Sequence, residues 1–97
     1  MKRFVALAWL GALAACGPIQ STSYLLDAEV QIQAARTANA ERLAPYEWTA
    51  ANLYYEKAKD KVGYSEYEIG VDYARKASKF ANEARQRAVS RGAVDRP

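Results

Sequence analysis

Three groupings of side chains have types and spacings that chemistry could use. Glu56 with Asp60, and Glu68 with Asp72, each stand four residues apart, as a pair of carboxylates sharing acid and base roles would. Lys57, Lys59 and Lys61 form a short basic run. Tyr46, Trp48, Tyr54, Tyr55, Tyr64, Tyr67, Tyr73 and Phe80 crowd one stretch of chain, enough aromatic surface for a binding face. On helices the carboxylates fall on polar faces and the three lysines point in three directions. Both sets read as solvated surface. The chain has no histidine and a single cysteine, Cys16. That removes the commonest acid/base group at neutral pH, any internal disulfide, and the usual zinc spacings. The expectation is therefore no catalytic residue, no metal and no cofactor.

The aromatic cluster has two readings. One is packing between helices, each phenol reaching water or a carbonyl. The other is a patch that binds a partner, a peptide or a glycan. A body this small cannot bury every ring. Trp48 and Tyr55, seven apart and on one side of a helix, are expected as an exposed pair. Tyr54 and Tyr67 complete the candidate partner-binding set.

Cys16 closes a distinct leader. Lys2 and Arg3 precede an apolar run from Phe4 to Ala14. That run is far shorter than the roughly 20 residues of a membrane-spanning helix. A basic start, a short apolar stretch and small residues describe a secretory signal. Leu13-Ala14-Ala15-Cys16 resembles the bacterial lipobox. The resemblance implies cleavage between Ala15 and Cys16, a diacylglyceryl thioether on Cys16, and acylation of the new amino terminus. Two or more acyl chains anchor stably where one does not. Gly17, being other than Asp, favours the outer membrane by resemblance to enteric sorting rules. The formal charge of +3 comes from 14 basic and 11 acidic residues, and two of the basic ones lie in the leader. The remainder is nearly neutral, which argues against nucleic acid as a partner.

The expected organisation is a cleaved signal peptide (1–15), a lipidated cysteine and tether (16–23), a helical domain (24–91) and a flexible tail (92–97). Gly17 to Ser23 is poor helix composition, and Gly92 and Pro97 punctuate the end. Between them the chain is rich in Ala, Glu, Lys, Arg, Tyr and Gln, with no alternating β-branched run. The fold class expected is all-α: a signal helix, then three helices, the last two forming an antiparallel hairpin. The first helix spans about Tyr24–Leu43, with rows Leu25/Ala28/Ile32/Ala35 and Leu26/Val30/Ala34. The second starts at Pro45 and runs to about Val62, its wide apolar arc suggesting a middle position with two neighbours. Gly63 reads as its stop. Ser65 and Glu68 have the spacing of a capping box, with Tyr64 and Ile69 as its staple. The third runs from about Glu66 to Ala88 or a little further, with Asp72–Lys76 and Glu83–Arg87 as candidate ion pairs along one face.

The motifs Pro45-Tyr46-Glu47-Trp48-Thr49-Ala50-Ala51, Tyr54-Tyr55-Glu56-Lys57-Ala58 and Gly63-Tyr64-Ser65-Glu66-Tyr67-Glu68 resemble those of small proteobacterial outer-membrane lipoproteins that carry an uncharacterised helical domain, a domain of unknown function. The resemblance covers about residues 24–88 and the lipobox. It carries over no functional residue except Cys16. Together these readings expect a non-catalytic lipoprotein held on a membrane by lipid, facing the periplasm from the outer membrane. Its role would be that of a scaffold or accessory subunit in an envelope assembly, with envelope proteins or peptidoglycan as partners. The alternative is a small-ligand or glycan-binding module built on the tyrosine-rich hairpin.

Overall fold

A computed structural model describes the backbone of residues 2–95 and the side chains of residues 18–93. The cleavage and lipidation expected at Ala15 and Cys16 lie outside these described side chains. Four helices follow one another: α1 (Lys2–Thr37), α2 (Ala40–Leu43), α3 (Pro45–Gly63) and α4 (Tyr67–Asp95), with no strand among the described residues. The protein is all-α, as its composition predicts.

Three long helices run up, down and up. The bond from Arg75 to Tyr24 and that from Ser78 to Asp27 both join residues 51 apart. A constant offset of this kind makes α1 and α4 parallel. The Tyr54–Tyr73, Tyr46–Phe80 and Glu47–Arg87 contacts run in opposite order, so α3 and α4 form the expected antiparallel hairpin. The helix packed along both neighbours is α4, not the expected α3. Its Gly70, Ala74, Ala77, Ala81, Ala84 and Ala88 repeat at spacings of four and three and are all buried. A helix surfaced with methyl groups lets two neighbours approach closely, whereas the large rings of α3 hold a second neighbour off.

Among the described residues the core is almost wholly alanine. Ala28 and Ala35 of α1, Ala40, Ala44, Ala51 and Ala58 join the α4 row, and Ile32 is the one larger buried hydrophobic residue among those described. The row Ala28/Ile32/Ala35 is the packed one, with Leu25 half-buried. Leu26 and Val30, from the other predicted row, face solvent.

Both helix ends differ from expectation for local reasons. The predicted Tyr24–Leu43 helix breaks because Asn39 adopts left-handed angles (φ 66°, ψ 35°), which Asn tolerates better than most residues. At the other corner Ser65, not Gly63, takes the positive φ, at 62°. The Ser65 N–H donates to Val62 O and the Glu66 N–H to Lys61 O, both at 2.9 Å. This is the Schellman closure of α3. Ser65 is therefore committed to ending α3 and does not form the predicted capping box with Glu68. Its supposed staple partners Tyr64 and Ile69 stand exposed.

The stretch 17–23, expected to be a poor helix, continues α1, and α4 runs through most of the expected tail to Asp95. Pro18 lies inside α1. Its carbonyl accepts from Ser21 Oγ at 3.0 Å and Thr22 Oγ1 at 2.8 Å, and Ser21 is buried. Those hydroxyls bond within the helix instead of competing with it.

Candidate functional site

The first concentration of side-chain chemistry is the corner where α2 meets α3. Ala44 is buried and extended away from helical angles, as a residue before proline must be. Pro45 then opens α3, where its missing N–H costs nothing. Two residues on, Glu47 is buried at 6% exposure and its Oε1 lies 3.0 Å from Arg87 Nε. One turn further along α4, the Arg91 guanidinium donates to the Leu43 carbonyl at the end of α2. Arg87 and Arg91 thus clamp the corner from one face of α4. Trp48 packs beneath it against the Ala35/Ala40/Ala44/Ala84/Ala88 cluster, with the Arg36 guanidinium 5.6 Å above its ring. The sequence reading did not single out Glu47. Its signal was an acid in the first turn of a proline-started helix, flanked by rings on both sides.

The second concentration is the hairpin face on which no residue of α1 joins the rings. Tyr54 stacks on Phe80 at 5.6 Å with planes 6° apart, and on Tyr73 at 5.9 Å. Tyr46 meets Phe80 edge-on at 6.4 Å. Lys57 and Lys76 each place Nζ within 5.6 to 6.0 Å of both the Tyr54 and the Tyr73 centroid. Both ammonium groups stand by the Tyr54–Tyr73 pair, a favourable placement over aromatic rings. Neither lysine is in an ion pair among the described residues, where the pairs are Lys59–Glu56, Lys61–Glu66 and Arg87–Glu47. The i,i+4 pairs read from the sequence are thus replaced: Lys76 sits over rings, and Arg87 reaches across to α3.

A family described as a domain of unknown function, DUF4398, matches residues 23–96. The chain belongs to this family. No curated protein and no solved structure matches it. The match takes in α2, α3, all of α4 and the last 15 of the 36 residues of α1. Cys16 and the leader lie outside it, so the DUF4398 domain is the helical body itself. The motif Pro45-Tyr46-Glu47-Trp48 of this DUF4398 chain builds the corner, and Tyr54 together with Lys57 builds half of the aromatic face.

The sequence-predicted binding residues are not brought together. Trp48 and Tyr55 are half-buried against Ile32, Ala51 and Ala81, on the side that α1 covers, so they are not the exposed pair. Tyr54 sits at the centre of the stack. Tyr67 lines a shallow cleft of about 460 Å³ with Gln20, Glu68, Val71, Asp72 and Arg75, at the opposite end of the bundle from Trp48. The most exposed rings among the described residues are Tyr46 and Tyr64. Stacked rings fill the groove between α3 and α4, where a small ligand would need a pocket.

The titratable groups act as struts. A hydrogen bond to Glu66 raises the Lys61 pKa, and one to Glu56 raises that of Lys59. The Tyr24 hydroxyl, bonded at 2.9 Å, raises that of Arg75. The two lysine pairs therefore hold below the ordinary lysine range and are lost as pH climbs through the raised values. Both are exposed and contribute little. No group of three or more metal-ligating side chains occurs among the described residues, and no helix among them is long and apolar enough to cross a membrane.

Proposed function

We propose that this chain is a non-catalytic lipoprotein, held by lipid on Cys16 at the periplasmic face of the outer membrane. In this reading its helical body is a scaffold or accessory subunit of an envelope assembly. The observation that carries the reading is the lipobox Leu13-Ala14-Ala15-Cys16 opening directly into the helix that supports the bundle. Cleavage before Cys16 makes Gly17 and Pro18 part of the first turn of the mature α1. There a proline removes no hydrogen bond, whereas inside the uncleaved helix it removes one. The polar side chains on the body support the same role: Glu47, Arg87, Arg91, Asp27, Ser78 and Arg75 make contacts that hold one helix to another.

Intact mass and envelope fractionation of the wild type and Cys16→Ala test this. The wild type should carry the mass of its acyl chains and sediment with outer membrane, and the variant should do neither. A wild type recovered from the soluble periplasm without added lipid mass would overturn the reading.

A further inference from the structure

The outer side of α1 carries an apolar stripe that the protein leaves uncovered. Ile19, Leu26 and Val30 are 68%, 57% and 63% exposed. At 100° per residue they lie opposite the buried row of Ala28, Ile32 and Ala35. Asp27, which accepts from Ser78 of its own chain, flanks the stripe on one side and Glu29 on the other, both exposed. The hairpin presents the complement: an aromatic layer of Tyr54, Tyr73 and Phe80 with Lys57 and Lys76, which have no carboxylate partner among the described residues.

The two surfaces also agree in height. Ile19 to Val30 spans about 16 Å of helix, and the layer's Tyr73 to Phe80, about 10 Å, fits within that length. Within one copy, residues of α1 stand level with α4 residues 51 further along. The stripe is therefore level with Gly70 to Ala81, the stretch that carries Tyr73, Lys76 and Phe80. Two copies standing side by side at equal height bring stripe and layer together with no shift along the helix axis. Glu29, level with Phe80, then meets the layer about one turn from Lys76.

We propose that the aromatic layer of one copy receives the outer face of α1 from a second copy of this chain. Each hairpin is then flanked by its own α1 on one side and a neighbour's on the other. The two surfaces differ, so the contact is heterologous and repeats into a row instead of closing as a symmetric pair. All copies in the row keep the same end toward the membrane. The contact does not itself require the lipid.

The test co-expresses two full-length chains with different tags, one carrying a photo-cross-linking amino acid in place of Val30. The expected product joins that residue to the 70–81 stretch of the other chain. Lys57→Glu with Lys76→Glu in the receiving chain should lower its yield by about tenfold or more, since like charges then face each other. Glu29→Lys in the donating chain, which leaves the Asp27–Ser78 bond in place, should recover part of it. Circular dichroism checks that each variant stays helical. Should the double reversal lower helicity, Lys57→Gln with Lys76→Gln replaces it, and a fall in yield is again expected. Cross-links from Val30 to the other copy's α1, no cross-link between copies, or a yield indifferent to the lysines would each overturn the proposal. Repeating the experiment on purified, concentrated Cys16→Ala chain should give the same product, so that failure of the lipid reading leaves this result standing.

Discussion

Glu47 and Arg87 share an ion pair unequally, the glutamate side chain being 8% exposed and the arginine 59%. Removing each partner should therefore have a different effect. Arg87→Ala leaves a carboxylate buried without its counter-charge, at a cost of about 2 to 3 kcal/mol. Glu47→Ala frees a guanidinium that water can solvate, and the cost falls to about 1 kcal/mol. Urea denaturation of the two single variants and the double should show this ordering and a positive coupling. Equal effects would mean that the carboxylate is hydrated despite its position. The pair also marks what a sequence can and cannot disclose about single residues. Pro45 as a helix start follows from the ring alone, and the structure bears it out. The burial of Glu47 depends on Arg87, forty positions away along the chain, and no local pattern reports it. The aromatic cluster was visible as a cluster. The assignment of individual rings depended on where α1 lies, so Trp48 and Tyr55 changed sides.

At the scale of elements, the hairpin turns on one close approach. A methyl group built on Gly70 would stand 2.7 Å from Val62 Cγ2 and 3.4 Å from the Ala58 carbonyl oxygen. Valine in a helix has little rotamer freedom with which to move away. Gly70→Ala, which in an exposed helix would stabilise by about 1 kcal/mol, should here destabilise by a similar amount or more. Val62→Ala removes the obstructing methyl, so the double variant should recover most of the loss. Thermal melts of the three variants decide the matter, and a stabilised single variant would show that α4 slides freely on α3. The existence of the hairpin was legible, because Gly63 to Glu66 leaves no room for any other connection. Its chemistry was misread. Ser-x-x-Glu spacing suits a capping box, but the same serine can end the preceding helix, and the hydrogen bonds of α3 claimed it first.

At the scale of the whole bundle, the buried contacts among the described residues are mostly methyl groups facing methyl groups. Ala81 meets Ala51 of α3 and Ile32 of α1, so it lies where all three helices converge. Ala81→Leu keeps hydrophobicity and helix propensity but forces the axes apart, at a cost of about 1 to 3 kcal/mol. The distinguishing readout is hydrogen exchange, which should rise in α1 before it rises across the α3–α4 hairpin. Uniform loss of protection would indicate that no helix is separately held. The all-α class and the three-helix plan followed from composition and spacing, while the choice of α4 as the shared helix did not. Apolar arcs measure how much of a helix is greasy. The size of the side chains decides how many neighbours can come near, and that comparison needs all three helices at once.

The alanine core has a calorimetric consequence. Heat capacity of unfolding follows the apolar surface newly exposed to water, with polar surface counting against it. A buried alanine has a single methyl to expose, while several larger side chains, Tyr46, Tyr64, Leu26 and Val30, already face solvent in the native state. The increment per residue therefore falls below the roughly 12 to 15 cal/mol/K usual for globular domains. The stability curve of this bundle is correspondingly shallow. Scanning calorimetry should accordingly show a fold that loses little stability on cooling and declines gently on heating.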